Sequence, residues 1–282
     1  MPLWLRFALL CLFASLVACR TTTDDARVAP ADDDAPIDVV TLNLWHDRDD
    51  WPRRQSMIVD ELRRLSPDVI LLQEVLQDEG LPNQAQALAS QLGYHWHFVS
   101  VDAPERARRY GNAILTREPM TQRGSRALQP SDDYRIAGWA RIELRGRPLA
   151  IYVVHLNFTD ASGATRARQI GGVLDLVAAT RGDADVVIGG DFNARADGPE
   201  FAPLRASYLD GYAATHAGDD VDAPAHTTLN HALGHAPQRI DHVFAQADAF
   251  VPLESRRLFV QPAADGTWAS DHFGLWVRLR SR

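Results

Sequence analysis

Asp185-Val186-Val187-Ile188-Gly189-Gly190-Asp191-Phe192-Asn193-Ala194 places an apolar run, a glycine pair and two polar side chains in immediate succession. Asp185–Ile188 is too short for a stable helix and reads as a buried strand, which Gly189-Gly190 is expected to break so that Asp191 emerges from a turn. A long helix is predicted just upstream, over Ala164–Ala179, and before it strands over Ile136–Leu144 and Leu149–Leu156. The same alternation opens the chain's apolar part. Ile37–Leu44 reads as a strand, and Asp50 as the cap of a helix with Pro52 in its first turn. Ile58, Leu62 and Leu65 recur at helical spacing until Ser66-Pro67 ends that helix, and Val69–Leu72 reads as the next strand. A helix over Gln84–Leu92 follows, then strands over His95–Val101, Asn112–Thr116, Ile240–Ala245, Arg257–Val260 and Phe273–Leu279. More strands than helices, with hairpin-length connections late in the chain, point to two packed sheets flanked by helices rather than one parallel sheet.

Of the 282 residues, 46% are hydrophobic, enough for one large α/β domain, and no linker interrupts the middle. The formal charge of −8 argues against a broad basic surface of the kind that binds nucleic acid non-specifically, while leaving room for a local basic groove. Every basic residue is Arg, a composition more in keeping with GC-rich coding than with phosphate chemistry. The N-terminus reads as a processing signal. Arg6 supplies positive charge, Phe7–Val17 is an apolar run too short to span a bilayer comfortably, and Leu16-Val17-Ala18-Cys19 follows. That ending resembles the lipobox of bacterial lipoproteins, which makes residues 1–18 a lipoprotein signal peptide and Cys19 the lipid-bearing anchor; an ordinary secretory signal is the alternative. Both imply export, and the lipobox implies attachment to a cell-envelope membrane. With Cys11 removed, Cys19 alone remains and no intrachain disulfide forms. Residues 19–36, rich in Thr, Asp, Ala and Pro, read as a flexible tether, and residues 37–282 as the folded domain, a monomer.

Polar residues recur where the apolar strands end. They are Asn43 in TLNLW, Glu74 in LLQEV, Asn112 in GNAIL, His155 in VVHLN, Asp191 and Asn193 in GGDFNA, Asp241 in RIDHVF, and Asp271 with His272 in SDHFGL. Hydrolysis of a phosphoester needs a hard cation, a group that orients or deprotonates water, donors for the phosphoryl oxygens, and often an acid for the leaving group. This set supplies all four. Carboxylate and amide oxygens suit Mg²⁺ or Mn²⁺, whereas a zinc site would favour His or Cys clustered at short spacing. Imidazole works as acid or base near neutral pH, and a buried Asp fixes its orientation.

Taken together, these spaced blocks resemble those of the endonuclease/exonuclease/phosphatase superfamily over almost all of residues 37–280. The resemblance implies a four-layered α/β sandwich of two packed mixed sheets. It also implies that Glu74 is the principal metal ligand, with Asn43 beside it and Asp271 completing or supporting the metal shell. Asp191 would orient or deprotonate the attacking water, with Asn193 holding the phosphate. His272, oriented by Asp241, would stabilise the phosphoryl group or act as the base, and the residues leave that choice open. His155 matches the second histidine of the pancreatic deoxyribonuclease-like and sphingomyelinase-like branches, which contacts phosphate or protonates the leaving oxygen. Asn112 is a candidate phosphate contact, though an amide after Gly111 equally suits a structural turn.

Other polar residues carry less. His95 and His97 alternate along a strand as a half-exposed face would, while His46 and Asp47 fall in a loop. Arg106, Arg108 and Arg109 read as a solvated charged loop, and His226, His231 and His235 show no metal-like regularity and receive no role. The expected activity is phosphodiester hydrolysis on nucleic acid, phospholipid or a small phosphorylated metabolite. A phosphomonoesterase using the same site is the nearest alternative, and a catalytically inactive, lipid-anchored binding protein is the alternative from another class. No aromatic-rich apolar insertion of the lipid-penetrating kind is present, which lowers the phospholipid reading.

Overall fold

The computed structural model describes residues 35–221 and 223–282. The expected signal peptide, the Cys19 anchor and nearly all of the tether lie outside the described residues. The first strands and helices are β1 (Ile37–Asn43), α1 (Trp51–Leu65), β2 (Val69–Gln77) and α2 (Gln84–Leu92). There follow β3 (His95–Ser100), β4 (Arg109–Thr116), β5 (Met120–Ala127), β6 (Ile136–Leu144) and β7 (Arg147–His155). The remainder comprises α3 (Ala164–Thr180), β8 (Asp185–Asp191), α4 (Ala202–Arg205), β9 (Tyr208–Asp210), α5 (Gly211–Thr215), β10 (Asp241–Gln246), β11 (Phe250–Leu258) and β12 (Gly274–Ser281).

The strands form two six-stranded mixed sheets, ordered β11-β12-β1-β2-β4-β3 and β5-β6-β7-β8-β10-β9. Near the middle of each lies one parallel pair, β1 with β2 and β7 with β8, and the other neighbours are antiparallel. Each parallel pair is joined by a crossover helix, α1 or α3, as a parallel connection requires. Between the sheets, Val39, Leu71, Ile114 and Val277 from one side mix with Ile142, Ile151, Val187 and Val243 from the other in a single apolar core. Outside, α1 and α2 cover the first sheet through Ile58, Leu62 and Leu88, and α3 covers the second through Ile170, Val173 and Leu176. The order helix, sheet, sheet, helix is the four-layered sandwich expected.

Local chemistry accounts for the ends of α1. Asp50 accepts the Arg53 N–H at 3.1 Å, Pro52 sits in the first turn, and Ser66 closes the helix in the left-handed region at φ 48° with its N–H on Leu62 O.

Two expectations near the strand ends are corrected. Gly189-Gly190 does not break β8, which runs on to Asp191. Gly190 keeps its place in the ladder at φ 147°, and a Cβ there would stand 2.0 Å from Val154 O on the neighbouring strand. The pair therefore permits close approach of β8 to β7 instead of ending the strand. Likewise β2 does not stop at Leu72. It continues to Gln77 through a register shift between Leu72 and Val75, and Glu74 occupies that bulge at φ 54°. β11 also starts earlier and ends sooner than the expected Arg257–Val260, because Phe259 turns the chain at φ 60°.

Candidate active site

Parallel pairing sends the carboxyl ends of the central strands in one direction. In register Asn43 lies opposite Gln73 at the end of β1, His155 opposite Asp191 at the ends of β7 and β8, and Asp241 opposite Asp191 where β10 begins. The crevice beyond the carboxyl ends is where open α/β sheets place their ligands. Here it is a cleft of about 480 Å³ whose lining includes Glu74, His155, Asp191, Asn193, Asp271 and His272.

Asp191 lies at the centre. Its Oδ2 accepts Asn43 Nδ2 at 3.1 Å and stands 3.5 Å from His155 Nε2 and 3.8 Å from His272 Nε2, while Oδ1 accepts the Asn193 N–H at 2.9 Å. Asn193 in turn donates Nδ2 to Leu156 O, which holds the turn after β8 against the end of β7. His272 Nδ1 is bonded to Asp241 Oδ2 at 2.9 Å, and its backbone N–H reaches Ser270 Oγ, whose own proton goes to Asn43 O. Thr228 Oγ1 accepts the Ile240 and Asp241 N–H groups, and Thr228 O accepts that of Phe273. One turn thus ties the start of β10 to the His272 segment.

The buried charges shift one another. Burial, then the neighbouring Asp241 carboxylate, push Asp191 up to about 7. Burial opposes the charge on His272, but Asp241, Asp191 and Asp271 outweigh it and raise the imidazole to about 10. His155 goes the other way, well below its ordinary value, because burial and the nearby Arg135 and His272 all disfavour its cation. These shifts favour the imidazolium form of His272 and the neutral ring of His155. Asp271 is raised by burial, with Glu74 adding repulsion, so two carboxyl groups share the cleft wall. Ligand-capable atoms of Asp191, Asp241 and His272 also lie within 4.8 Å of one another, the only such group found among the described residues. Because His272 Nδ1 is committed to Asp241, that trio suits proton handling, and the oxygen donors Glu74 and Asp271 better fit a hard cation.

Asn43 and Asn112 are both almost fully buried. Asn43 bridges Asp191 and the Trp45 N–H, and Asn112 donates to Ile136 O at 2.8 Å, joining the two sheets rather than lining the cleft. Sequence reasoning passed over several residues that the fold brings to the site. Tyr110 and Arg135 line the cleft, as do Phe158, Gln238 and His235, whose Nε2 is 3.6 Å from Asp271 Oδ2. None stands at the end of an apolar strand, the one signal used to select candidates. Arg54 is also missing from the sequence reading. Fully buried in α1, it donates to the carbonyls of Leu44, Trp45 and His46 and lies 5.4 and 5.2 Å from the rings of Trp45 and Trp51. It pins the loop leaving β1 just beyond Asn43.

Carboxylates and imidazoles gather at the carboxyl ends of a two-sheet sandwich, an arrangement whose chemistry suits hydrolysis of phosphoesters. The chain belongs to the Endonuclease/Exonuclease/phosphatase family, whose sequence model matches residues 40–272. It is 23% identical over 275 residues to tyrosyl-DNA phosphodiesterase 2 of Bos taurus, covering 93% of this chain and 73% of the relative. The structure of D. rerio TDP2 complexed with single strand DNA product superposes with a TM-score of 0.72 at 19% identity, covering 87% of this chain and 99% of that one. The human Nocturnin catalytic domain with bound sulfate anion gives 0.71 at 19% identity, covering 88% and 94%. These structural likenesses establish a shared fold.

Proposed function

We propose that the protein is a divalent-metal-dependent phosphodiesterase in which Asp191 is the general base and His272 an electrostatic clamp on the phosphoryl group. One observation carries this assignment: Asp191 Oδ2 stands 3.8 Å from Nε2 of His272, whose other ring nitrogen is bonded to Asp241 at 2.9 Å, so a carboxylate that burial pushes up lies beside an imidazole whose cation the surrounding carboxylates favour. A group that takes a proton at neutral pH lies beside one that keeps its proton and offers positive charge where negative charge grows. Asn43 and the Asn193 N–H hold Asp191 in place, and Asp241 holds His272. Asn193 and neutral His155 line the same cleft and serve as hydrogen-bond donors to the phosphoryl and leaving oxygens.

Glu74, aimed by its bulge, and Asp271 would hold a Mg²⁺ or Mn²⁺ ion, with the amide oxygen of Asn43 in support. When bound, the ion polarises the phosphoryl oxygen and offsets charge on the leaving group. The mutual repulsion of Glu74 and Asp271 in a partly buried wall is the feature of this chain that suits a cation. Bis-p-nitrophenyl phosphate hydrolysis with Mg²⁺ or Mn²⁺, set against p-nitrophenyl phosphate, tests the reading. Diester turnover that chelator abolishes supports it; turnover of the monoester alone moves the assignment to a phosphatase, and failure on both overturns it. The relatives named for DNA phosphodiester chemistry favour the diester. The export signal and Cys19 anchor belong to the same proposal: the Cys19→Ser variant is expected in the soluble fraction and the unaltered chain with membranes.

A further inference from the structure

Phosphate chemistry occupies the floor of the cleft, yet one wall carries an uncommitted cation next to an exposed ring. Arg135, just before β6, lines the cleft beside His155, and its side chain is only 10% exposed. Such a guanidinium ordinarily has several acceptors, because burial without them is costly. Among the described residues it has no side-chain hydrogen bond, Nε is buried without a partner, and its ion-pair contact is Asp133 Oδ2 at a loose 3.9 Å. Asp133 is itself engaged elsewhere, accepting Asn157 Nδ2 at 2.7 Å and Gln169 Nε2 at 2.6 Å. The result is a held but unsatisfied cation. Its carbon Cζ lies 5.6 Å from the ring centroid of Phe158, which also lines the cleft and is 68% exposed, although the residues just before it in the chain are buried.

Resting on the phosphodiesterase reading of this cleft, we infer that Arg135 and Phe158 form a nucleotide-recognition wall. Arg135 binds a phosphate of the substrate, and Phe158 stacks an unpaired base attached to it, which makes single-stranded nucleic acid the substrate class. The chemistry distinguishes this from other phosphodiesters. An unpaired base presents the flat face that an exposed phenyl ring takes up, a base within a duplex has both faces covered, and a phospholipid headgroup has no aromatic face. The acidic chain has no broad basic track to hold a long backbone, so recognition by one cation and one ring suits a short single strand.

The test is equilibrium binding of fluorescein-labelled pentathymidylate to the full chain in the presence of chelator, read by anisotropy, so that hydrolysis plays no part. Phe158→Ala and Arg135→Gln are each expected to weaken binding by about five-fold or more, with Phe158→Tyr restoring it. A stable duplex of about 20 base pairs and vesicles of phosphatidylglycerol are expected to compete about ten-fold less well than unlabelled pentathymidylate. Phe158 is exposed, so its substitution tests the wall even if Arg135→Gln fails to fold. Unchanged affinity in Phe158→Ala, no binding by the unaltered chain, or equal competition by duplex or vesicles would overturn the inference. Diester hydrolysis that persists in any of these cases leaves the catalytic reading standing. Conversely, pentathymidylate binding with the expected losses but no hydrolysis of any ester upholds the wall and removes the catalysis.

Discussion

Asp191 is raised because burial and Asp241 penalise its anion, and His272 because three carboxylates face it. A base must be ionised and a cationic clamp must be protonated, so diesterase activity should fall as pH drops below about 7 and again as it rises past about 10. A pH profile of kcat/KM on bis-p-nitrophenyl phosphate measures both limbs. Asp241→Asn removes the leading contribution that raises His272 and one that raises Asp191, so both limbs should move to lower pH. If the alkaline limb stays where it was, His272 does not set it. Asp191→Asn keeps the shape of the site but cannot take a proton, and a loss of about 10²–10⁴ in kcat is expected. Ser270, Thr228 and Asn43 keep these groups in place through bonds that link the end of β1 to β8, to the start of β10 and to the segment before β12.

Elements aim those side chains. Because Gly190 lies within β8 at a backbone conformation closed to other residues, Gly190→Ala is expected to lower stability by at least about 1–3 kcal/mol by urea unfolding, and to cut activity through displacement of Asp191. Arg54 holds the β1–α1 loop, so Arg54→Leu leaves the buried Leu44 carbonyl without its donor, whereas His46 O keeps Gln84 Nε2, and a loss of roughly 1–3 kcal/mol is expected in the same measurement. At the far end of β9, Asp210 caps α5 and pairs with Arg239 at 2.7 Å. Burial alone would raise its carboxyl, but His242 and Arg239 prevail and hold it well below the usual range. A depressed carboxyl contributes stability above its unfolded value of about 4 and loses it as pH falls further. Asp210→Asn should therefore flatten the decline in unfolding free energy on the acid side of about pH 4, besides costing about 3–5 kcal/mol at neutral pH. Arg239 Nη1 lies 2.8 Å from His242 Nδ1, and His242 Nε2 lies 2.9 Å from Ala194 O, so this cluster also supports the turn that follows Asp191.

At the scale of the molecule, two sheets deliver their strand ends to one cleft, lined by Glu74, His155, Asp191, Asp271 and His272. Central strands were legible in the sequence because both of their faces are buried and apolar runs announce them; the expected Ile240–Ala245 falls within one residue of β10, buried throughout. β5 and β9 were not foreseen and β11 was misplaced, and all three lie at sheet edges, where polar residues such as Thr121, Gln122 and Arg123 face water and erase the apolar signal. Polar residues at strand ends stood out for a related reason, since an acid or imidazole beside a buried run costs free energy unless it has a partner or a task. Sequence by itself therefore determined the sandwich and the set of acids, amides and imidazoles from Asn43 to His272. Only the tertiary structure decided that Asn43 and Asn112 face inward, that β8 continues through its glycines, and that Arg135, Phe158 and His235 join the cleft. Those outcomes depend on packing between segments distant in the chain, whereas periodicity reports only whether a residue's own surroundings are apolar.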